Sequence, residues 1–190
     1  MIYSIDLSDF VPPDEHFFVD ANVLYFIYYN DQNFEKTKMK ADAYRKYIKN
    51  LRNNGNPLYI SALNLQELLH VIEKAEYKKY CRNNNTRITL KEYRGYQNER
   101  IAVKNKLQST IQQIYSDYFI TDETVDFETI RLLIQTYDRH HLDPIDFLAV
   151  CPKCRKNKSV CRNFNLITAD SDFKRNMKFK TDPNINVYTL

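Results

Sequence analysis

Short apolar runs alternate with longer segments of helical periodicity along most of this chain. The apolar runs predict strands at His16–Asp20, Leu58–Ile60, Tyr118–Thr121 and Leu166–Thr168, with a short fifth strand at Asn186–Thr189. The segments between them predict helices at about Asn22–Tyr29, Lys38–Asn53, Leu63–Tyr80, Leu90–Tyr115 and Phe127–Arg139, and a further helix beginning at Asp143. Strands that alternate with helices are typical of an α/β domain with a mostly parallel sheet.

Local signals mark where several of these helices begin and end. The sequence NNGNP at Asn53–Pro57 ends one helix, and Ser61 is placed to cap the next one. Asp143 and Pro144 suit the N-cap and the first position of a later helix, because a carboxylate accepts from unpaired N–H groups and proline has none to pair. Asp146 is then in the first turn of that helix.

The composition excludes several classes of protein. Gly55 and Gly95 are the only glycines, so a glycine-rich phosphate-binding loop is excluded.

A chain of 190 residues predicts a single domain over residues 1–190. Acidic residues interrupt the N-terminal segment, and no apolar run reaches the roughly 18 residues of a membrane span. We therefore expect a cytoplasmic protein with reduced cysteines and no membrane partner.

Basic residues are concentrated in one block, although the formal net charge is only +4. This block predicts a helical insertion at about 74–115, in which Tyr77, Tyr80, Tyr93 and Tyr96 are interleaved with the basic residues. One interpretation is a solvated helical face. The other is a nucleic-acid surface, where cations meet phosphates and tyrosines stack on unpaired bases. The candidate RNA-binding residues are Lys78, Lys79, Arg82, Arg87, Lys174 and Arg175.

Carboxylates follow or approach several of the predicted strand ends. Ligands of open α/β sheets bind beyond the carboxyl ends of the strands, which is where these residues are expected: Asp20, Glu67, Asp146, Asp170 and Asp172. Grouped carboxylates raise one another's pKa unless a cation is present, and all-oxygen sites suit Mg²⁺ or Mn²⁺. These ions activate water and neutralise charge on a phosphodiester, so the pattern favours phosphodiester hydrolysis.

Some of these carboxylates have an ordinary structural explanation as well. Asp143 suits a helix cap, and Asp172 could cap the turn that leads to Phe173. Asp20 and Asp170 are harder to explain in this way, because each adjoins a strand that is expected to be buried. Burying a carboxylate requires a polar partner or an ion to offset the cost of several kcal/mol.

Four segments in sequence order resemble the PIN-domain ribonucleases, which include toxin components of bacterial toxin and antitoxin pairs. These segments are FFVDANVLY, ISALNLQELLHVI, DFLAV and LITADSDF. They match a strand that ends in Asp20 and continues into Asn22, a strand and helix that carry Glu67, a helix that begins near Asp146, and the run Thr168–Phe173. The resemblance covers roughly Phe17–Glu73 and Tyr118–Thr189.

The resemblance implies a PIN-like three-layer sandwich with a central parallel sheet of about five strands flanked by helices. It also implies a ribonuclease that depends on Mg²⁺ or Mn²⁺ and acts on single-stranded RNA. Asp20, Glu67, Asp146 and Asp170 would hold the metal, with Asp172 as a further ligand or helper and with Asn22 and Thr168 in support. The candidate partners are RNA, a protein antitoxin and a second copy of the chain.

The chain departs from the family pattern in two places. Phe147 stands where the family has a small residue, and Asp143 is three residues before Asp146 on nearly the same helical face, so either acid could be the third ligand. The chain is also longer than compact family toxins. A catalytically silent PIN-like module that binds RNA or protein is the alternative. A phosphoryl-accepting domain, such as a haloacid-dehalogenase-like phosphatase, is disfavoured. The pattern of those phosphatases has a second aspartate at the position where this chain has Asn22.

A cysteine-containing loop at 151–161 carries a separate prediction. Cys151, Cys154 and Cys161 could hold a structural Zn²⁺, with His140 or His141 upstream as a fourth ligand. Spacing alone is weak evidence for such a site. The alternative is that Cys151 is a small core residue of the preceding helix and that the other two are free thiols.

Overall fold

The structure is a computed structural model that describes residues 2–4, 15–29, 35–121, 130–131, 134–135, 164–170 and 185–189. Six parallel strands within these residues form one sheet in the order β1-β6-β5-β2-β3-β4. They are β1 (Ile2–Ser4), β2 (Phe17–Val19), β3 (Leu58–Ser61), β4 (Phe119–Thr121), β5 (Phe164–Ile167) and β6 (Ile185–Thr189). Helices flank this sheet, so the predicted α/β class with a parallel sheet is confirmed.

The helices described in full lie between β2 and β4 along the chain. They are α1 (Ala21–Leu24), continued by a π-helical segment at Tyr25–Tyr29, then α2 (Glu35–Asn53), α3 (Ala62–Asn83), α4 (Leu90–Tyr93) and α5 (Gln97–Asp117). Ser61 caps α3 as predicted, because its side chain accepts a hydrogen bond from the backbone N–H of Asn64. No helix in the described ranges is long and apolar enough to cross a membrane.

The five strands that the sequence predicts are all present, and the sheet has one strand more. The additional strand, β1, pairs with β6 at the edge of the sheet, with Ile2 opposite Val187. Its three residues lie in the N-terminal tail, which the family resemblance does not cover. The sequence analysis assigned no strand to this tail.

The single helix predicted at Leu90–Tyr115 is wrong, because two helices occupy this segment. The chain turns at Arg94 and Gly95, and the Gly95 N–H donates to the carbonyl oxygen of Glu92 at 2.8 Å. A Cβ atom at position 95 would lie 3.0 Å from that same oxygen, so the turn is tight enough to favour glycine. Tyr96 is the N-cap residue of α5, which begins at Gln97.

The main core lies between one face of the sheet and the helices that pack on it. The sheet contributes alternate side chains, among them Phe17, Val19, Leu58 and Ile60, because successive residues of a strand point to opposite faces. The helices contribute side chains from each of the long segments: Leu24, Tyr44, Leu51, Leu68, Ile72 and Ile114. Ile114 belongs to α5, so the end of the basic insertion is part of this core.

The sheet order creates a switch point beside β2. The chain leaves β2 toward β3 on one side, whereas β5 lies on the other side of β2 and leads away to β6. Crevices for ligands form where parallel connections diverge in this way, outside the carboxyl ends of the strands. The ends of β2 and β5 therefore define the place where a site is expected.

The remaining predicted elements lie outside the described residues or are described only in part. The helix predicted at Phe127–Arg139 is helical at residues 130–131 and 134–135. The helix predicted from Asp143 and the loop at 151–161 lie outside the described ranges. The single-domain organisation stays a prediction.

Candidate functional site

Polar side chains converge where three neighbouring strands end. Asp20 directly follows β2, Ser61 ends β3, and Thr168 and Asp170 follow β5. Since β2 lies between β5 and β3, these residues come together at the switch point of the sheet. Three of them are buried, with exposed fractions of 2% for Asp20, 4% for Ser61 and 0% for Thr168.

The Asp20 carboxylate accepts three hydrogen bonds from described donors. Its Oδ1 accepts from the Ala21 N–H at 2.7 Å and from Nδ2 of Asn64 at 2.9 Å, and its Oδ2 accepts from the Thr168 hydroxyl at 2.6 Å. The first of these bonds also makes Asp20 the N-cap of α1. A carboxylate has about four acceptor positions. Most of these positions on Asp20 are therefore occupied by protein donors.

Asn64 is held so that its amide N–H group points toward Asp20. The Ser61 hydroxyl donates to Oδ1 of Asn64 at 2.6 Å, and the Asn64 backbone N–H donates back to that hydroxyl at 3.0 Å. The opposite amide orientation would place two oxygens together at the contact with Asp20. The pair of bonds to Ser61 therefore fixes a donor toward the carboxylate and favours its ionised form.

Thr168 links Asp20 to Asp170. Its hydroxyl donates to Asp20 and accepts from the backbone N–H of Asp170 at 3.0 Å. The carbonyl oxygen of Thr168 in turn accepts from the buried Tyr44 hydroxyl of α2 at 3.0 Å. These bonds fix the start of the loop after β5 relative to the end of β2, and Asp170 lies half-buried at this point.

Asn22 presents a buried oxygen two residues beyond Asp20. Its Oδ1 has no hydrogen-bond donor among the described residues, although the atom is shielded from solvent. An unsatisfied buried acceptor costs about 1–3 kcal/mol. A bound cation, or a water attached to one, would satisfy this oxygen, so the position suits the supporting role that the resemblance implies for Asn22.

Glu67 lies one turn of α3 beyond Asn64. Residues three apart on a helix are neighbours, with Cβ atoms about 5–6 Å apart. Because Asn64 contacts Asp20, the half-buried Glu67 is placed on the same side of α3 as the carboxylate of Asp20. Asp20 and Asp170 therefore follow β2 and β5 at this end of the sheet, and Glu67 lies in the second turn of the helix that follows β3.

These three acids do not form a complete metal site by themselves. Among the described residues, no group of three or more histidine, cysteine, aspartate or glutamate side chains is arranged to hold a metal ion. Asp143, Asp146 and Asp172 lie outside the described residues, so their contribution stays a prediction. The zinc prediction for Cys151, Cys154 and Cys161 and the RNA prediction for Lys174 and Arg175 also fall outside these residues.

The predicted RNA-binding residues of the insertion are exposed, but its tyrosines are not arranged as open stacking surfaces. Lys78, Lys79, Arg82 and Arg87 all lie on the surface. Tyr93 is 2% exposed, and its ring centroid lies 5.6 Å from that of Tyr77 and 5.3 Å from that of Tyr80. Tyr96 packs on Tyr80 at 5.7 Å and remains 43% exposed. Most of these rings therefore hold the insertion together.

Asn64 is the residue of the site that the sequence analysis missed. It occupies the third position after the N-cap Ser61, where glutamate or glutamine of a capping box is common. An asparagine there is too short for the usual bond back to the N-cap backbone. This departure is the signal that could have indicated a different contact.

Comparison with known proteins gives little further information. No family model matches the sequence, and no curated protein matches it. One similar solved structure is the crystal structure of VapBC2 from Rickettsia felis bound to a DNA fragment from their promoter. The likeness covers 92% of this chain and 98% of that chain, with 17% sequence identity and a TM-score of 0.49. A likeness at this level supports no inference about function.

Proposed function

We propose that this protein is a metal-dependent ribonuclease that hydrolyses phosphodiester bonds of single-stranded RNA. The observation that carries the proposal is the buried Asp20 carboxylate, which donors from α3 and from the end of β5 orient at the switch point of the sheet. A buried carboxylate that protein donors hold in place is typical of a functional site. A carboxylate without a function would be stabilised at lower free-energy cost on the solvated surface.

The donor set suits Mg²⁺ or Mn²⁺. The oxygens of Asp20, Glu67 and Asp170 would hold the ion together with Asp146 and Asp172, and Asn22 contributes a buried oxygen that lacks a described donor. Hard divalent ions prefer oxygen ligands of this kind. When bound, the ion would supply an activated water and would neutralise charge on the phosphodiester.

Asn64 and Thr168 act as positioning residues in this proposal. Each donates a hydrogen bond to Asp20, and such bonds orient a ligating carboxylate and keep it ionised. Because both side chains are themselves buried and bonded, the carboxylate is fixed before any ion arrives. Preorganisation of this kind favours binding, since little side-chain freedom is lost on association.

The experiment that tests the proposal measures RNA cleavage and metal binding separately. Wild-type protein should cleave unstructured RNA with Mg²⁺ or Mn²⁺ and should stop when a chelator is added. Asp20→Asn should abolish cleavage and weaken Mn²⁺ binding, measured by calorimetry. Asp42→Asn is the matched control, because Asp42 lies exposed on α2 and pairs with Arg45. Cleavage that persists in chelator would contradict the proposal.

A catalytically silent module is the outcome that would replace this proposal. It would show RNA or protein binding that does not require Mn²⁺ and is unaffected by Asp20→Asn. The assignment as the toxin of a toxin and antitoxin pair, with an antitoxin or a second copy as partner, stays a prediction of the family resemblance. Copurification from the native host with a protein encoded next to it tests that prediction directly.

A further inference from the structure

Helix α3 carries a stripe of cations in the part of the helix that follows Glu67. Lys74, Lys78 and Arg82 are spaced four residues apart, and all three are exposed. Residues at this spacing lie one above the other on the same face of a helix. The three side chains therefore form a continuous basic stripe, here called the α3 stripe.

The α3 stripe lies on the same face of the helix as Glu67. With 3.6 residues per turn, Lys74 and Lys78 are each rotated about 20° from Glu67, and Arg82 about 60°. The rise of 1.5 Å per residue places Arg82 about 22 Å farther along the axis than Glu67. The stripe thus extends from the side of Glu67 toward the C-terminal end of α3.

The acids around this stripe are engaged within the protein. Glu73 pairs with Arg94, with 2.7 Å between Oε1 and Nε, and Glu76 accepts from the Tyr29 hydroxyl at 2.9 Å. Glu92 accepts from the N–H and the hydroxyl of Thr89 in a capping box. These carboxylates serve internal contacts on or beside α3.

The lysines of the stripe have no comparable internal role. Neither Lys74 nor Lys78 forms a salt bridge or a hydrogen bond with a residue in the described part of the chain. Lys106, in contrast, lies over the ring of Tyr29 at 5.4 Å. The exposed cations therefore give this face of the helix a positive potential that attracts a polyanion.

We propose that the α3 stripe holds the backbone of a single-stranded RNA whose cleaved bond lies at the Asp20 site. This inference rests on the proposed function and adds the path and the mode of recognition. At about 3.4 Å per nucleotide of a stacked strand, the distance from Glu67 to Arg82 corresponds to about six nucleotides. Because the nearby tyrosines pack mainly on one another, recognition along the stripe is electrostatic and tolerant of base sequence.

The test compares two triple variants that remove the same charge. The stripe variant is Lys74→Ala, Lys78→Ala and Arg82→Ala. The control variant is Lys40→Ala, Lys46→Ala and Lys49→Ala, which removes exposed lysines from α2. Alanine is a strong helix former, so both variants should fold, and circular dichroism checks this. Binding of a labelled unstructured RNA is measured in chelator over a series of salt concentrations.

We expect the stripe variant to bind RNA at least about tenfold more weakly than the wild type, with the magnitude of the salt slope reduced by about 2 for three lost phosphate contacts. The control variant should stay close to wild type. Equal losses in both variants would overturn the proposal. The proposal would also be overturned if polyglutamate displaces the labelled RNA as well as unlabelled RNA does and if polyglutamate binding depends equally on the stripe. That outcome indicates an acidic protein partner.

The cleavage assay separates failure of this inference from failure of the proposed function. If RNA is cleaved and the stripe variant keeps the wild-type KM, the ribonuclease stands and the path is wrong. If binding depends on the stripe but no cleavage occurs with any metal, the path stands and the ribonuclease is wrong. If the ribonuclease function and the RNA path are both correct, KM rises in the stripe variant while kcat changes little.

Discussion

The Thr168 hydroxyl donates a hydrogen bond of 2.6 Å to Oδ2 of Asp20, across 148 residues of sequence. The two residues follow neighbouring parallel strands, β5 and β2, which diverge at this point of the sheet. The same hydroxyl accepts from the N–H of Asp170. One side chain thus links two of the acids to which the proposed function assigns metal binding.

Replacing Thr168 by valine should weaken both stability and metal binding. Valine preserves the shape but removes the donor to Asp20 and the acceptor of the Asp170 N–H. We expect the free energy of unfolding to fall by about 1–3 kcal/mol, because buried polar groups lose their partner. Mn²⁺ affinity should fall about 10–100-fold, as for other residues that support metal ligands.

Urea unfolding and Mn²⁺ calorimetry measure these two effects, and Thr168→Ser is the control. Serine keeps the hydroxyl, so its Mn²⁺ affinity should remain within a few-fold of wild type although it lacks the buried methyl group. Unchanged Mn²⁺ affinity in Thr168→Val would show that the hydroxyl only supports the fold.

Replacing Asn64 by aspartate tests whether Asp20 is ionised. The new carboxylate would lie at the present 2.9 Å contact, where two like charges repel and one pKa rises. A raised pKa in the folded state means that stability is retained below the unfolded value of about 3.9 and is lost as the pH rises above it. Asn64→Asp should therefore be less stable than Asn64→Leu at neutral pH, and the difference should vanish in acid.

Chemical denaturation at several pH values provides the measurement. Added Mn²⁺ should restore more stability to Asn64→Asp than to Asn64→Leu, since a cation neutralises the paired carboxylates. Asn98→Asp, an exposed substitution on α5, serves as the control and should change stability little. Equal stability of the two Asn64 variants at neutral pH would contradict an ionised Asp20.

Five of the six described strands were predictable from the sequence because their apolar runs are bounded by clear signals. Ser61 and the NNGNP turn fix both ends of the segment that contains β3. The break at Gly95 was missed, because the helical periodicity on its two sides continues through it. Its cause is a backbone contact with Glu92, which cannot be seen before the turn is formed.

The sequence indicated the candidate acids and, through the family resemblance, Asn22 and Thr168 as supporting residues. Asp20 and Asp170 were selected as candidates because a carboxylate after a buried strand is costly without a partner. Asn64 was missed, since its role depends on the contact that the sheet order creates between α3 and the end of β2. Local patterns report the cost of burying a group, whereas the partner that offsets this cost is set by the tertiary fold.

The ion pair between Glu73 and Arg94 should make the attachment of the insertion sensitive to acid. The hydrogen bond from Arg94 holds the pKa of Glu73 below its ordinary value, although partial burial acts in the opposite direction. A lowered pKa in the folded state means that the stabilisation is complete above the unfolded value of about 4.3 and is lost as the pH falls through the folded value.

A double-mutant cycle isolates this contribution. Glu73→Gln, Arg94→Gln and the combined variant are compared by urea unfolding at neutral and acidic pH. We expect a favourable coupling at neutral pH that disappears in acid and weakens in high salt, since both side chains are partly exposed. A coupling that is the same at both pH values would indicate a contact that does not depend on charge.

Buried tyrosines should make the protein lose stability in alkali before they ionise. Burial raises the pKa of Tyr93 to about 12, and it also raises those of Tyr28 and Tyr118. Their stabilising contribution is complete below the unfolded value of about 10 and is lost as the pH rises above it.

Phenolate absorbance and circular dichroism should therefore show a second group of tyrosines that ionises only with unfolding. Tyr93→Phe should move this transition to higher pH, whereas Tyr115→Phe, at a position 62% exposed, should leave it unchanged. Ionisation of all 15 tyrosines near pH 10 in a folded protein would contradict this prediction.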